Sequence, residues 1–287
     1  MNVEEFISDV QDSGLKPDDF DVVYKEFCSF RRLAFETLKV FHDICLRNQI
    51  DYQLAFGSLL GAVRDDGQIP WDYDVDVFVP IAFREKLIDC LKKELGQNYY
   101  VVSPQTNKKC RHEIMRISPK GYRSEELHVD VFFLIGLPED ELQKDAMIKQ
   151  LMELSRKRFY KCVSLRGEWH GSIRKTAGLL LRKIKYLNVN LSKCDREFEE
   201  LALKYPLDKC ITCTTADSWA NVDVIPYALL KETISWSTSD GDFIIPKKYQ
   251  EVLTSVYGNY FTIPDIRSRI NDIYYHYNLI KKYGTVK

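Results

Sequence analysis

Residues 54–80 read LAFGSLLGAVRDDGQIPWDYDVDVFVP. Apolar Leu54, Ala55 and Phe56 break at Gly57-Ser58, and a short helical run through Leu59, Leu60, Ala62 and Val63 ends at Arg64. Asp65-Asp66-Gly67 makes a turn, and Ile69-Pro70-Trp71 leads back into the body of the protein. Asp72, Asp74 and Asp76 then alternate with apolar residues. A strand places positions i, i+2 and i+4 on one face, so these carboxylates project together. Like charges at that spacing repel, and burial raises the cost of each, so a cation is expected among them. Hard divalent ions such as Mg²⁺ take oxygen ligands of this kind and share them with phosphates. A solvated turn after Pro70-Trp71 would account for Asp72. It accounts less well for Asp74 and Asp76, because Val75, Val77, Phe78 and Val79 read as a buried strand. Gly57-Ser58 points the same way: glycine after a strand lets backbone approach a phosphate, and the N–H groups that open a helix favour an anion.

Two further stretches belong with this one, LHVDVFFL at 127–134 and FIIPKKYQEVLTSVYGNYFTIP at 243–264. With GSLLGAVR (57–64) and IPWDYDVDV (69–77) they resemble the signature of the LicD family of phosphotransferases, to which fukutin-related protein is related. The resemblance implies an α+β, nucleotidyltransferase-like fold, a mixed sheet flanked by helices and carrying a helical insert. It implies transfer of a phospho-alcohol from a CDP-linked donor to a glycan or lipid-linked glycan hydroxyl, with release of CMP, in cell-surface polysaccharide synthesis. Phosphocholine is the usual cargo of bacterial members and ribitol phosphate that of the human relative. On this reading Asp74, Asp76 and Asp130 are catalytic, and with Asp72 they hold one or two Mg²⁺ or Mn²⁺ ions. Gly57, Ser58 and Arg116 would meet the donor's phosphates, and Arg64 would do so or buttress that loop. Many members carry Asp where this chain has Tyr73, which makes that position variable rather than catalytic. Spacing alone says only nucleotide and metal. A nucleotidyltransferase that keeps the nucleotide on its product, or a non-catalytic nucleotide- or glycan-binding protein, stands as the alternative.

The residues around Asp130 and Arg116 carry readings of their own. Val129, Val131, Phe132 and Phe133 make Asp130 a carboxylate inside a buried strand, costly unless paired or metal-bound. It could also accept the proton of an attacking hydroxyl. His128, on the same face, reads as a tethered surface histidine. A strand over Arg111–Ser118 would set His112, Ile114, Arg116 and Ser118 on one face, with Arg116 either solvated or turned to a diphosphate.

Forty-one Lys and Arg against 42 Asp and Glu leave a net charge of −1, so no global charge points to nucleic acid. A 45% apolar chain of 287 residues can bury a large core. No run long enough for a membrane span occurs, the acidic N-terminus lacks the features of a signal peptide, and eight cysteines suit free thiols in a reducing cytoplasm. The expected division is an N-terminal helical segment (1–48), a catalytic core (49–138), a basic helical insert (139–205) and a C-terminal module completing the same domain (206–287). Within the first segment, apolar residues recur at helical spacing from Phe20 to Cys45, and His42 is assigned no chemistry.

Between Arg156 and Arg196 twelve basic residues face only Glu168 and Asp195, a local charge of 12 − 2 = +10. That density suits an anionic membrane surface or a grip on an acidic acceptor glycan or donor phosphate, and peripheral contact with the inner face of a membrane through 156–196 is an expectation. The interleaved Leu179, Leu180, Leu181, Ile184 and Leu187 are expected to pack on the core. Cys210-x-x-Cys213 has zinc-knuckle spacing but no second pair at the usual distance. With Cys194, and with Cys162 or His170 as the other conceivable ligands, it reads as buried thiols. Short strands are expected at Val222–Val224, Thr233–Ser237 and Phe243–Ile245, and a helix over Pro246–Tyr257 ended by Gly258. Trp219, Trp236, Tyr249 and Tyr257 are aromatic enough to stack on a base or sugar, but core packing explains most such residues.

Overall fold

The structure, a computed structural model, describes residues 1–164, 173–215 and 224–284. Helix α1 (Val3–Asp12) starts at a reciprocal cap between Asn2 and Glu5 and buries Phe6 and Val10. The 28-residue α2 (Phe20–Arg47) turns Phe20, Val23, Phe27, Phe30, Ala34, Leu38, Phe41, Ile44 and Cys45 into the core, the stripe its periodicity predicts. His42 is half-buried and bonded to the Tyr52 hydroxyl.

Strand β1 (Gln53–Leu54) is short, because Phe56 takes φ +41° and the chain turns at once into α3 (Phe56–Arg64). Strand β2 (Val75–Pro80) follows the Asp-rich loop, and α4 (Arg84–Glu94) covers the sheet through Leu87, Ile88 and Leu91. Then come β3 (Tyr99–Val102), β4 (Met115–Pro119) and β5 (Val129–Gly136). The order across the sheet is β1-β2-β5-β4-β3. β2 and β5 run parallel, while β1 with β2, β5 with β4 and β4 with β3 are antiparallel, which makes the sheet mixed.

The strand expected over Arg111–Ser118 starts only at Met115. Residues before it form a loop that Arg158 holds by donating to the Cys110 carbonyl at 2.8 Å and pairing with Glu113 at 3.1 Å. His112 and Ile114 therefore leave the strand face that carries Arg116.

The insert comprises α5 (Glu141–Cys162), α6 (Ile173–Lys185) and α7 (Leu191–Ala202). The chain then rejoins the same sheet: β6 (Thr212–Thr215) pairs with the end of β5 and with β7 (Ile225–Pro226). The predicted strand at Val222–Val224 lies largely outside the described residues, as do Trp219 and His170. A separate hairpin of β8 (Thr233–Thr238) and β9 (Gly241–Pro246) is pinned to α3 by the Trp236 indole N–H, which donates to the Ala62 carbonyl at 3.0 Å. Trp236 is thus anchored in the fold. Helix α8 (Tyr249–Tyr257) ends where Gly258 takes φ +65°, and α9 (Ile266–Leu279) returns along α2, its Tyr274 hydroxyl on Asp19.

The basic insert departs from expectation in its faces. Leu180, Leu181, Ile184 and Leu187 are exposed, whereas Lys183 donates inward to the Lys161 and Val163 carbonyls and Arg182 to the Tyr160 hydroxyl. The cations satisfy the carbonyl end of α5, where positive charge is favoured, and turn the leucines out. The thiols also have separate surroundings. Cys194 is buried against the Leu154 carbonyl, Cys213 against that of Ile225, and half-buried Cys210 lies on that of Pro206.

Candidate active site

Parallel pairing of β2 and β5 sets Asp76 directly beside Asp130, and antiparallel pairing of β5 and β4 sets Arg116 on the other side of Asp130. Partners across a ladder present their side chains to the same face, so Asp76, Asp130 and Arg116 form one row across three strands. Asp130 is buried, and its carboxylate accepts from Arg116 Nε at 2.8 Å and lies 3.2 Å from His128 Nε2. Burial opposes the charged form, but His128 and Arg116 outweigh it and hold the Asp130 carboxyl below the usual carboxylate range. His128 is buried rather than a surface residue, and the carboxylate two positions on is what draws it in.

Asp74 and Asp76 have far less relief. The Asp74 carboxyl is pushed well above its ordinary value by burial, by the charge of Asp72 and by a hydrogen bond shared with Asp72. Asp76 is pushed up by burial and then by Asp74, Asp130 and Asp72, with Arg116 the counterweight. The Asp72, Asp74 and Asp76 side chains remain half-buried, open to solvent on one side. Among the described residues, no three His, Cys, Asp or Glu side chains are gathered as a ready-made metal site. The donor chemistry nevertheless fits a hard divalent cation: these are carboxylate oxygens whose mutual repulsion a cation would remove. Asp130 already accepts from Arg116 and lies against His128, whereas the side chains of Asp72, Asp74 and Asp76 are half-open to solvent.

The Gly57–Ser58 corner is tied to the same strand. Ser58 Oγ accepts from the Asp76 amide at 2.8 Å, and the Ala55 amide donates to the Asp76 carbonyl at 3.0 Å. The Ser58 hydroxyl proton stays available to an anion. A Cβ at Gly57 would stand 3.0 Å from Asp72 Oδ2, so the absence of a side chain lets the start of α3 approach the acidic loop. Phe56 holds its left-handed backbone because its ring is wedged edge-on between Phe78 and Phe132, at 5.0 and 5.3 Å. Such strain costs on the order of 1–3 kcal/mol and persists where packing over-determines it.

Arg64 is turned away from the carboxylate row. It pairs with buried Asp65 at 2.7 Å, which also holds the N-terminal amine at 2.9 Å, and it stacks over Trp71. Arg64 therefore braces the turn below α3. Arg31, from the middle of α2, does similar work: its Nε donates to the Asp72 carbonyl and its Nη2 to that of Gln68, both at 3.0 Å. Nothing in the local sequence singles out Arg31, which is 41 positions from the loop it clamps. Two more residues face the carboxylates. Tyr257 has its hydroxyl pKa raised by burial and then by Asp76, Asp72 and Asp74. His276 has its pKa lowered by burial despite the opposing charge of Asp74, and packs 4.7 Å from the buried Tyr73 ring.

Residues 49–165, the span that holds Asp76 and Asp130 in register and the Gly-Ser helix start, match the family "LicD/FKTN/FKRP, nucleotidyltransferase domain". Residues 49–165 belong to that family. The LicD match takes in α3, every strand from β1 to β5 and the first part of the insert. The chain is also 26% identical over 248 residues to the lipopolysaccharide cholinephosphotransferase LicD of Haemophilus influenzae, covering 81% of this chain and 90% of that protein. The chain is thus a distant homologue of that transferase over nearly its whole length. The similarity therefore extends beyond the matched domain. Among the described residues no helix is long and apolar enough to cross a membrane.

Proposed function

We propose that this protein is a LicD-type phosphotransferase that moves a phospho-alcohol from a CDP-linked donor to a saccharide hydroxyl and releases CMP. The observation that carries this reading is the crowding of carboxylates on one strand, with Asp74 and Asp76 both pushed up, beside Asp130 and the start of α3. The cholinephosphotransferase named among its relatives makes phosphocholine the first cargo to test and a surface polysaccharide the first acceptor.

On this proposal the donor diphosphate lies between the start of α3 and the acidic strand, with the Ser58 hydroxyl and the backbone amides at Gly57 donating to its oxygens. Asp74 and Asp76, with Asp72, would hold Mg²⁺ or Mn²⁺, and the ion when bound would neutralise charge on the diphosphate. Asp130, kept ionised beside Arg116 and His128, would accept a hydrogen bond from the acceptor hydroxyl and orient it.

The test is CMP release by purified protein with Mg²⁺ or Mn²⁺, CDP-choline, CDP-ribitol, CDP-glycerol or CDP-ethanolamine, and glycan extracts. CMP formed from one donor, with the alcohol phosphate recovered on glycan, supports the reading. A product that retains the nucleotide would make the protein a nucleotidyltransferase instead.

The outward leucines of α6 suit peripheral contact with an anionic lipid surface. Leu181 and Ile184 on α6 and Leu187 just after it are 69%, 57% and 57% exposed. Residues 173–187 contain five basic and no acidic residues, so a second copy would meet like charge there while anionic lipid would not. Flotation with phosphatidylglycerol vesicles, reduced by Leu181→Glu/Ile184→Glu and weak on phosphatidylcholine, is the expected result. Equal flotation on both lipids, or none, would exclude this contact.

A further inference from the structure

The row of aligned residues does not stop at Arg116. Across β4 its partner is Val102 on β3, and Arg116 and Val102 both line a cleft of about 560 Å³. The cleft is lined by Lys109, Arg111 and Arg123 from the loops on either side of β4, by Tyr275 of α9 and by Tyr283 beyond its end. Four cationic side chains face two carboxylates there, Glu125 and Glu126. Arg123 lies 3.7 Å from Glu125 and is 43% exposed, and Lys109 is exposed. The volume is that of a small-ligand site, the charge is positive, and tyrosine rings offer flat apolar faces to sugar rings.

Position decides what this cleft serves. Gly57, Ser58 and the start of α3 adjoin Asp76, at one end of the row; the cleft opens past Arg116, at the other, with Asp130 between. In a phosphoryl transfer the attacking and leaving oxygens lie on opposite sides of the phosphorus, roughly in line. If the donor's diphosphate is held at the α3 end, the attacking hydroxyl must come from the end where the cleft lies. We infer that the cleft beyond Arg116 is the acceptor pocket and that it takes an anionic saccharide, one carrying a phosphate or carboxylate for Lys109, Arg116 and Arg123. The inference rests on the phosphotransferase reading for its direction, and its binding test needs no turnover. The transferred phosphorus would leave the bridging oxygen of the donor as the acceptor oxygen bonds to it, CMP would carry away the bridging oxygen, and the acceptor proton would pass to solvent.

The experiment is calorimetric titration of the whole protein, with Mg²⁺ and saturating CMP, by glucose 6-phosphate, galacturonate and glucose. The expected outcome is binding of one or both anionic sugars alongside CMP, with glucose weaker by about tenfold or more. The double variant Lys109→Ala/Arg123→Ala should lose about tenfold for the anionic sugar and keep its affinity for CMP within about twofold. Lys92→Ala, on exposed α4 surface, serves as the charge control and should change neither. Phosphate and carboxylate arms show which anion the pocket prefers. Competition between glucose 6-phosphate and CMP would make the cleft part of the donor site and overturn the inference. Equal binding of glucose and its phosphate, no binding of any sugar, or indifference to the double variant would overturn it too. Anionic sugar bound in the cleft of a protein that releases no CMP from any donor would leave the pocket standing and remove the phosphotransferase reading.

Discussion

Around Arg158, on α5, a fully buried guanidinium pairs with Glu113 at 3.1 Å and with Asp195, and donates to the Cys110 carbonyl at 2.8 Å. Around Asp76, four carboxylates share one region, and Arg116 and His128 are both drawn onto Asp130. The first cluster gives each of its carboxylates a direct contact with one guanidinium, and it ties α5, α7 and the loop before β4 together. The second crowds Asp74 and Asp76 with further carboxylates and leaves them half-open to solvent. Burial of ions is tolerated when partners satisfy them, so a directly paired cluster needs no explanation beyond architecture. A crowded one invites a ligand, and this difference separates scaffold from site here more sharply than residue type does.

The comparison breaks first at Asp76. Asp76→Asn is expected to lower CMP release by about 10²–10³-fold or more, the scale of removing one preorganised charge from a transition state. Its urea midpoint should hold or rise, because a mutually repelling carboxylate is gone. Activity within a few-fold of the parent would place the site elsewhere.

Arg158→Met should do the reverse. Leaving Glu113 and Asp195 without their cation should cost about 3–5 kcal/mol of stability in urea unfolding. Turnover per folded molecule should stay near the parent value. A stability-neutral Arg158→Met would show that the cluster is not held by its charges.

Glu113 sharpens the same contrast through pH. Burial raises its carboxyl to about 7, with Arg158 opposing and Asp195 adding to the shift. A folded-state pKa above the unfolded value means that the folded state holds the proton more tightly. The resulting stabilisation is present below about pH 4.5 and is lost as pH rises towards 7, a change on the order of 3 kcal/mol. Asp74 and Asp76 shift the same way, while Asp130, whose pKa is lowered, loses its contribution as pH falls. The measurement is therefore a difference: urea stability at pH 5 and pH 8 for parent and Glu113→Gln. The substitution should flatten the slope, and identical slopes would rule Glu113 out as its source.

The smallest effect is expected at Ser58. Ser58→Ala removes the acceptor of the Asp76 amide and should cost about 1–2 kcal/mol of stability, with a loss of activity exceeding the stability loss. A loss confined to stability would make Ser58 a strand anchor with no part in holding phosphate.

Much of the site was legible because its spacing has one physical reading. Alternation at two residues put Asp72, Asp74 and Asp76 on one face, and the run VDVFFL put Asp130 inside a buried strand. The Gly-Ser break marked the start of a helix. His128 reads from the sequence as a surface neighbour of Asp130 on the same face, since burial is not a property of spacing; the structure buries it. Arg31 was not legible at all: its hydrogen bonds close a loop 41 residues away.

The amino-acid sequence by itself determined the periodic elements and the local chemistry: a long apolar stripe on α2, an acidic strand, a basic insert. Periodicity says which side chains share a face, because backbone geometry alone sets that. Tertiary structure decided what each face meets. Pairing register aligned Asp76 with Asp130 and Arg116, and packing turned Arg64 onto Asp65. The carbonyl end of α5 drew Lys183 inward and left the leucines of α6 outside. Such choices depend on contacts between residues far apart in the chain, and no local pattern encodes them.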